Sequence, residues 1–173
     1  MQKLFITALF TLIFFTNTVA NEVCEKEKKY SQAWYYNNCD GNILQSTDQK
    51  PIKSYKKVKN IRKGDLVMTF NRKPARVIGI MITRFPEGNT DLVKIGHLLI
   101  TPYQPVLFDN HWMFPKDVVK PETYNCTEVC SFVIESNHIV LINNVPCVCL
   151  GHNMMGPVVG HPFFGTDCIL RDL

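Results

Sequence analysis

Short stretches rich in β-branched and other apolar residues, separated by Gly, Pro and Asn, dominate the chain from Cys39 onward. Examples are GDLVMTF at 64–70, ARVIGIMITRF at 75–85 and VPCVCLGH at 145–152. Runs of this length and composition, bounded by turn residues, are typical of strands. Apart from the apolar N-terminal run, no segment carries the 3.6-residue apolar repeat of an amphipathic helix. The sequence therefore predicts an all-β fold.

One longer segment predicts three strands joined by two turns. FVIESNHIVLINNVPCVC at 132–149 is interpreted as three strands, with turns at ESN and at Asn143-Asn144. Asn tolerates the left-handed backbone that such turns need. DLVKIGHLLITPY at 91–103 is interpreted as one continuous strand-like run. Within it, His97 would face the same side as Thr101, about 13 Å away.

The first 20 residues, MQKLFITALFTLIFFTNTVA, have the three parts of a secretory signal peptide: a charged start at Lys3, an apolar core and small residues before the cleavage point. The apolar run is too short to span a bilayer comfortably. We therefore expect an exported chain that is not in the membrane once residues 1–20 are removed. A charged and aromatic leader would follow at 21–38, and one domain at 39–173.

The charge balance excludes a nucleic-acid-binding signature. Without Lys3, 18 of the 19 basic residues remain against 15 acidic ones, a net charge of +3. The Lys-rich segment KPIKSYKKVKNIRK at 50–63 alternates with apolar residues. That pattern favours the solvated face of a strand or turn over a patch that binds polyanions.

All seven Cys residues follow residue 20, and an odd number leaves one thiol without an intramolecular partner. Export favours disulfides, but the sequence does not rank the pairings. Cys39 is either a disulfide cysteine, most simply bonded to Cys24, or a thiol. NCT, starting at Asn125, is an N-glycosylation sequon. A disulfide at Cys126 would hinder that modification.

A zinc site is the competing interpretation for several Cys and His residues near the C-terminus. An oxidising compartment favours disulfides, and the spacing matches no usual pair of zinc ligands. We therefore predict no metal and no cofactor. The residues concerned are Cys147, Cys149, His152, His161 and Cys168.

Four segments, in order, resemble the Hint (Hedgehog/intein) superfamily, and specifically its Vint branch, often found beside von Willebrand A domains. CDGNILQSTDQKPIKSYKKVKNIRKGDLV, from Cys39, is similar to the opening block, in which a nucleophilic Cys begins the domain. LLITPYQPV, followed by HWMFP, is similar to the Thr-Pro-x-His block. CSFVIESNHIVLINNVPCVCLGHN resembles the late block with its own His, and HPFFGTDCILRDL the Vint tail. The resemblance implies a horseshoe-like fold of short strands and hairpins.

The resemblance also implies autoprocessing. Cys39 would attack the carbonyl of Asn38, so the substrate is the chain's own N-terminal segment. Thr101 would hold the amide or its oxyanion, and His138 would act near the reacting bond. Water or a small nucleophile would then open the thioester. No protein partner is identified.

Gln104 departs from the family pattern, because it stands where the family has a His. An amide side chain donates two hydrogen bonds but cannot give up a proton near neutral pH. General acid help is typically worth ~10²–10⁴ in rate. We therefore expect slow cleavage or none, with His138 as the residue that could supply the missing acid.

Two hypotheses follow for the function. The first is a secreted domain that cleaves itself slowly at Asn38–Cys39. The alternative is a catalytically inactive, disulfide-stabilised extracellular binding module with the same fold. In the second case Thr101 and its Pro cap a strand, and His138 is a turn histidine. In either case Asp65 is expected to pin a turn and start a strand.

Protein splicing is excluded by the residues around GHNM, which starts at Gly151. Splicing needs a Cys, Ser or Thr directly after the Asn, whereas Met154 follows Asn153 here.

Overall fold

The computed structural model describes residues 36–37, 42–47 and 50–173. The predicted signal peptide, most of the predicted leader, Cys24 and Cys39 lie outside the described residues. The described strands are β1 Tyr36–Asn37, β2 Asn42–Thr47, β3 Lys50–Lys57, β4 Leu66–Met68, β5 Pro74–Arg84, β6 Asn89–Ile95, β7 Leu98–Ile100, β8 Val106–Phe108, β9 His111–Met113, β10 Glu122–Asn125, β11 Glu128–Ile134, β12 Ile139–Ile142 and β13 Val145–Val148. The helical elements are α1 Pro115–Val118 and two 3-10 helices, Val58–Asn60 and Ile169–Asp172. The prediction of an all-β fold is confirmed.

The strands pair antiparallel in the order β10-β6-β7-β1-β11-β5-β4-β2-β12-β13-β8-β9, and β3 pairs with β2. The longest ladder joins β5 and β11, with one register shift after Val133. β1, which falls in the predicted leader, lies between β7 and β11. Among the described helices, none is long and apolar enough to cross a membrane.

The Asn turns behave as the sequence predicts. Asn143 and Asn144 have φ of +47° and +66°, and the flanking residues Ile142 and Val145 pair directly. A turn of this hand matches the twist of the two strands it joins, and Asn accepts its left-handed backbone. The predicted hairpin of β12 and β13 is therefore confirmed.

The strand-like run at 91–103 is not continuous, which corrects the expectation for His97. Gly96 has a φ of +58°, and the chain reverses there between β6 and β7. His97 is consequently an exposed turn residue. It does not lie on one strand with Thr101, because a glycine in left-handed backbone permits the tight reversal.

The core forms where apolar side chains of neighbouring strands point to the same side. On β5, Ala75 and Val77 are buried while their neighbours are exposed, as the two-residue strand period requires. Phe132 of β11 and Ile43 of β2 pack in the same cluster. Burying a side chain of this size stabilises the fold by about 1.5–3 kcal/mol.

Asp65 organises the turn that precedes β4. Its Oδ2 accepts hydrogen bonds from the backbone N–H of Arg62 at 2.8 Å and from Lys56 Nζ at 2.6 Å. Gly64, with a φ of +97°, donates its N–H to the Val77 carbonyl at 2.8 Å. Burial raises the pKa of Asp65, but these bonds and the charges of Lys56 and Arg62 outweigh it and hold the pKa below 3.8. The predicted structural role of Asp65 is confirmed.

Candidate functional site

The Thr-Pro turn closes directly after β7. Thr101 is buried at the strand end, and its carbonyl accepts a hydrogen bond from the backbone N–H of Gln104 at 3.2 Å. Pro102 fixes the backbone dihedral at the second position of the turn, which favours this geometry. The turn therefore carries both predicted site residues of this segment into the protein interior.

The side chain of Gln104 is held at one end only. Its Nε2 donates a hydrogen bond to the Val148 carbonyl at 2.8 Å. Its Oε1 is buried and has no hydrogen-bond partner within the described part of the chain, although the residue is only 1% exposed. A buried acceptor without a donor costs roughly 1–3 kcal/mol. The fold thus tolerates an acceptor that could receive an N–H group.

His138 sits in the turn before β12. Asn137 and His138 both have positive φ, +64° and +39°, and the His138 carbonyl accepts the N–H of Cys149 at 2.7 Å. Its Nδ1 is buried, and no residue of the described ranges forms a hydrogen bond with it. Burial lowers the pKa of His138, and the negative charge of Asp167 opposes that shift in part. A neutral ring at pH 7 follows, with one nitrogen able to accept a proton.

Gln104 and His138 form hydrogen bonds with two consecutive residues of the chain. Gln104 binds Val148, the last residue of β13, and His138 binds Cys149, the next residue. The structure therefore brings the Gln104 side chain, the His138 backbone and, through the turn, Thr101 to the same end of β13. We call Thr101, Gln104 and His138 the β13 corner. The fourth predicted residue, Cys39, lies outside the described residues.

Two further histidines lie beside this corner. His152 is buried, and its Nδ1 accepts the N–H of Met154 at 2.8 Å. Burial lowers the pKa of His152 to about 4, with smaller contributions from His138 and His161. His152 is thus close enough to both rings to sense their charge.

His161 is fixed by the C-terminal segment. Its Nδ1 accepts the backbone N–H groups of Phe163 at 3.1 Å and Phe164 at 3.0 Å. Burial lowers its pKa to about 4. Since Nδ1 is an acceptor in both His152 and His161, neither ring can take a proton there without losing these bonds.

From the sequence, His152 was a candidate for splicing and for zinc binding, but it was not predicted to lie beside His138. The usable signal was the β12–β13 hairpin: continuing its register by one residue brings Cys149 opposite His138, three residues before His152. In the described ranges, no group of three or more His, Cys, Asp or Glu is arranged to hold a metal ion.

The strand before the predicted cleavage point is part of the sheet. Tyr36 pairs with Ile100 of β7 and Cys130 of β11, and Asn37 pairs with Leu99. Because β1 and β7 are antiparallel, the direction from Tyr36 to Asn37 leads away from Thr101. Contact between Thr101 and the Asn38–Cys39 bond would require a turn after Asn37.

The cysteines divide into two groups. Cys126, Cys130, Cys147 and Cys149 are thiols. Burial raises the pKa of Cys147 well above its ordinary value, with a smaller contribution from Cys149, so Cys147 stays protonated and is a poor nucleophile.

Cys168, in contrast, is bonded in a disulfide. The seven cysteines of the sequence leave Cys24 and Cys39 as its possible partners. Both lie outside the described residues.

A family model described as Vint, a Hint domain, matches residues 38–173. The chain belongs to the Vint family of Hint domains. The resemblance identified from the sequence is thereby confirmed, and with it a fold of the autoprocessing type. No curated protein matches the chain.

This Vint domain is also similar to solved inteins. The gp41-1 intein matches with a TM-score of 0.50 and 12% identity over 68% of this chain and 99% of the intein. A bacterial intein-like domain from Clostridium thermocellum matches with a TM-score of 0.51 and 13% identity, over 69% and 99%. A mutant Ssp DnaB mini-intein variant matches with a TM-score of 0.53 and 10% identity, over 68% and 99%. At such low identity these likenesses show the fold alone.

Proposed function

We propose that the chain is an exported Vint domain that cleaves itself slowly at Asn38–Cys39 through a Cys39 thioester. The observation that carries this proposal is the β13 corner, where the buried Gln104 Oε1 and His138 Nδ1 have no hydrogen-bond partner among the described residues. Buried polar atoms are nearly always satisfied in stable proteins, so two at one corner favour a site over architecture. Export is supported by the signal-peptide pattern of residues 1–20.

The acyl shift requires one proton to move and return. His138 Nδ1 takes the proton of the Cys39 thiol, and the thiolate attacks the carbonyl carbon of Asn38. A carbon–sulfur bond forms, the carbon–nitrogen bond breaks, and the His138 imidazolium returns the proton to the Cys39 nitrogen. Water then attacks the thioester and leaves a carboxylate on Asn38 and a thiol on Cys39.

Gln104 explains why the reaction should be slow. Its Oε1 can accept the N–H of the scissile amide and hold it in place. It cannot protonate the departing nitrogen, which a His at this position could do. The loss of one acid corresponds to about 10²–10⁴ in rate. In the proposed mechanism His138 therefore serves as both base and acid.

A thiol at Cys39 has a consequence for the product. If Cys39 is the nucleophile, the disulfide of Cys168 must use Cys24. The leader at 21–38 then stays joined to the domain after cleavage and separates only on reduction. The proposed product is a disulfide-linked pair of chains, not a released peptide.

The test follows from that product. The exported chain is incubated with hydroxylamine under non-reducing conditions, which traps the thioester, and its mass is measured before and after reduction. We expect an intact mass raised by one hydroxylamine and, after reduction, separate fragments 21–38 and 39–173. The Cys39→Ala chain should show neither. A single chain after reduction, unaffected by hydroxylamine, contradicts the proposal.

The inactive binding module remains the second candidate, because two observations favour it. Gln104 carries no titratable group, and the register of β1 leads away from Thr101. In that case Cys39 would be the partner of Cys168 and would help to stabilise the fold. Mapping the disulfide separates the two candidates, because one sulfur cannot serve as both crosslink and nucleophile.

A further inference from the structure

NCT, starting at Asn125, is the only N-x-S/T tripeptide of the chain. We propose that Asn125 is an N-glycosylation site that takes an oligosaccharide from a lipid diphosphate donor. The proposal depends on the export proposed above and is independent of self-cleavage. The structural observations that support the proposal concern the end of β10.

The sequon lies at an exposed corner of the sheet. Asn125 ends β10 opposite Asn89, the first residue of β6. Asn125 and Thr127 are both exposed, and Cys126 between them is half-buried. In the described part of the chain, neither the Asn125 amide nor the Thr127 hydroxyl makes a hydrogen bond within the protein. The two side chains that a glycosyltransferase must read are therefore both available at the surface.

The backbone around the sequon is held in place. Cys126 donates its N–H to the Gly88 carbonyl at 2.9 Å, and the Thr127 carbonyl accepts the N–H of Phe85 at 2.8 Å. A glycan attached here would therefore project from a defined position. Its attachment would break none of these backbone bonds, since they do not involve the Asn125 side chain.

Cys126 was the residue that could have blocked modification. It is a thiol, and its Sγ donates a hydrogen bond to the Glu128 carbonyl at 3.1 Å. The condition under which the sequence predicts hindrance, a disulfide at Cys126, is therefore not met.

β10 is also an outer strand of the sheet, with β6 on one side. An open strand edge can pair with another chain, and natural proteins often cover such edges. A glycan on Asn125 would stand at this edge. Asn89 lies four residues, about 13 Å along β6, from Val93, which pairs with Ile100, the residue before Thr101.

The covalent step is a group transfer. The Asn125 Nδ2 forms a bond to the anomeric carbon of the sugar, and the bond between that carbon and the diphosphate oxygen breaks. The lipid diphosphate leaves with the electron pair. One Nδ2 proton passes to a base of the transferase, so charge and atoms balance.

The test uses the full chain translated in the presence of endoplasmic-reticulum microsomes. We expect a glycan mass on the peptide that contains Asn125, and its removal by a peptide N-glycosidase should leave an aspartate at position 125. Asn125→Gln and Thr127→Ala should abolish the modification. The matched variants Thr127→Ser, which keeps the sequon, and Asn89→Gln, on the paired strand, should retain it.

An unmodified Asn125 peptide overturns the proposal, whether the chain is not imported or the sequon is skipped. Glycan on Thr127→Ala would also contradict it, because the hydroxyl is the recognition element. Cleavage at Asn38–Cys39, measured on the same samples, should be equal with and without the glycan. The two proposals can therefore fail separately.

Discussion

Two turns of this Vint domain hold a polar side chain against the end of a strand, and they treat it differently. At the Asp65 turn, one carboxylate oxygen accepts bonds from Arg62 and Lys56. At the β13 corner, Gln104 Oε1 and His138 Nδ1 are buried without a hydrogen-bond partner among the residues that the structure describes. Both places are rich in turn residues, so sequence composition does not separate them.

The presence or absence of hydrogen-bond partners distinguishes a structural turn from a candidate site. A satisfied polar group stabilises its own loop, whereas a buried unsatisfied one costs free energy that the fold must offset elsewhere. Such a cost is retained at functional sites, where the missing partner is a substrate group. The comparison predicts that changes at the Asp65 turn alter stability and that changes at the β13 corner alter cleavage.

The largest effect is expected for Gln104→His, which supplies the missing acid. We expect cleavage at Asn38–Cys39 to accelerate by about 10²-fold, the lower end of general acid catalysis. The rate is measured from the fraction of chain that separates into fragments 21–38 and 39–173 on reduction. The double variant Gln104→His with Cys39→Ala is the control and should not cleave. An unchanged or lower rate in Gln104→His would show that this position does not face the reacting bond.

The decrease in the free energy of unfolding at acidic pH should depend on the buried histidines. The pKa of His152 and of His161 is about 4 in the fold, below the ordinary 6.5. Between pH 6.5 and 4 the unfolded chain therefore binds more protons, and stability falls as pH decreases. Each histidine contributes a slope of at most about 1.4 kcal/mol per pH unit.

The double variant His152→Asn with His161→Asn keeps an acceptor at each site and removes the titration. We expect its unfolding free energy to vary less between pH 6.5 and 4 than that of the natural chain, as measured by urea denaturation. The variant His97→Asn, at an exposed turn position, is the control for the loss of a histidine as such. Equal slopes in all three chains would contradict the buried, neutral state of both rings.

Asp65→Ala tests the satisfied turn. The variant loses a backbone cap and a partly buried ion pair, so the free energy of unfolding should fall by about 1–2 kcal/mol at pH 7. The pKa of Asp65 is lowered in the fold, so its contribution is present at pH values above 3.8 and is lost as pH falls through the lowered value. The difference between the two chains should thus disappear at low pH. Rates of cleavage per folded molecule should be equal.

The smallest stability change is expected for Gln104→Met. The variant loses the bond to Val148 but also removes the buried Oε1 that lacks a donor. These effects oppose each other, so the free energy of unfolding should change by less than about 1 kcal/mol. Cleavage should fall, because the Oε1 acceptor proposed for the scissile N–H is then lost. A loss as large as that of Asp65→Ala would show that Gln104 is architectural.

The sequence predicted the fold where local preferences decide it. β-branched runs identified β5, β11 and β12, and Asn143-Asn144 identified a turn whose backbone few other residues accept. It failed at His97, because Gly96 was treated as part of a strand although its φ is positive. A single glycine can permit a reversal, and the apolar pattern on both sides gives no sign of it.

The candidate site was less accessible from sequence. The resemblance named Thr101, Gln104 and His138, but their meeting at Val148 and Cys149 depends on pairing between distant strands. Tertiary packing determines which buried atoms lack a hydrogen-bond partner. The local composition of the sequence does not predict it. The disulfide of Cys168 was equally hidden, since spacing does not rank pairings.

The partner of Cys168 decides whether the proposed nucleophile exists as a thiol. Non-reducing proteolysis of the exported chain, followed by mass spectrometry of the linked peptides, identifies that partner directly. Self-cleavage through Cys39 predicts a crosslink between Cys24 and Cys168, with Cys39 alkylated by a thiol reagent before reduction. A crosslink between Cys39 and Cys168 would contradict self-cleavage and leave the inactive binding module as the function.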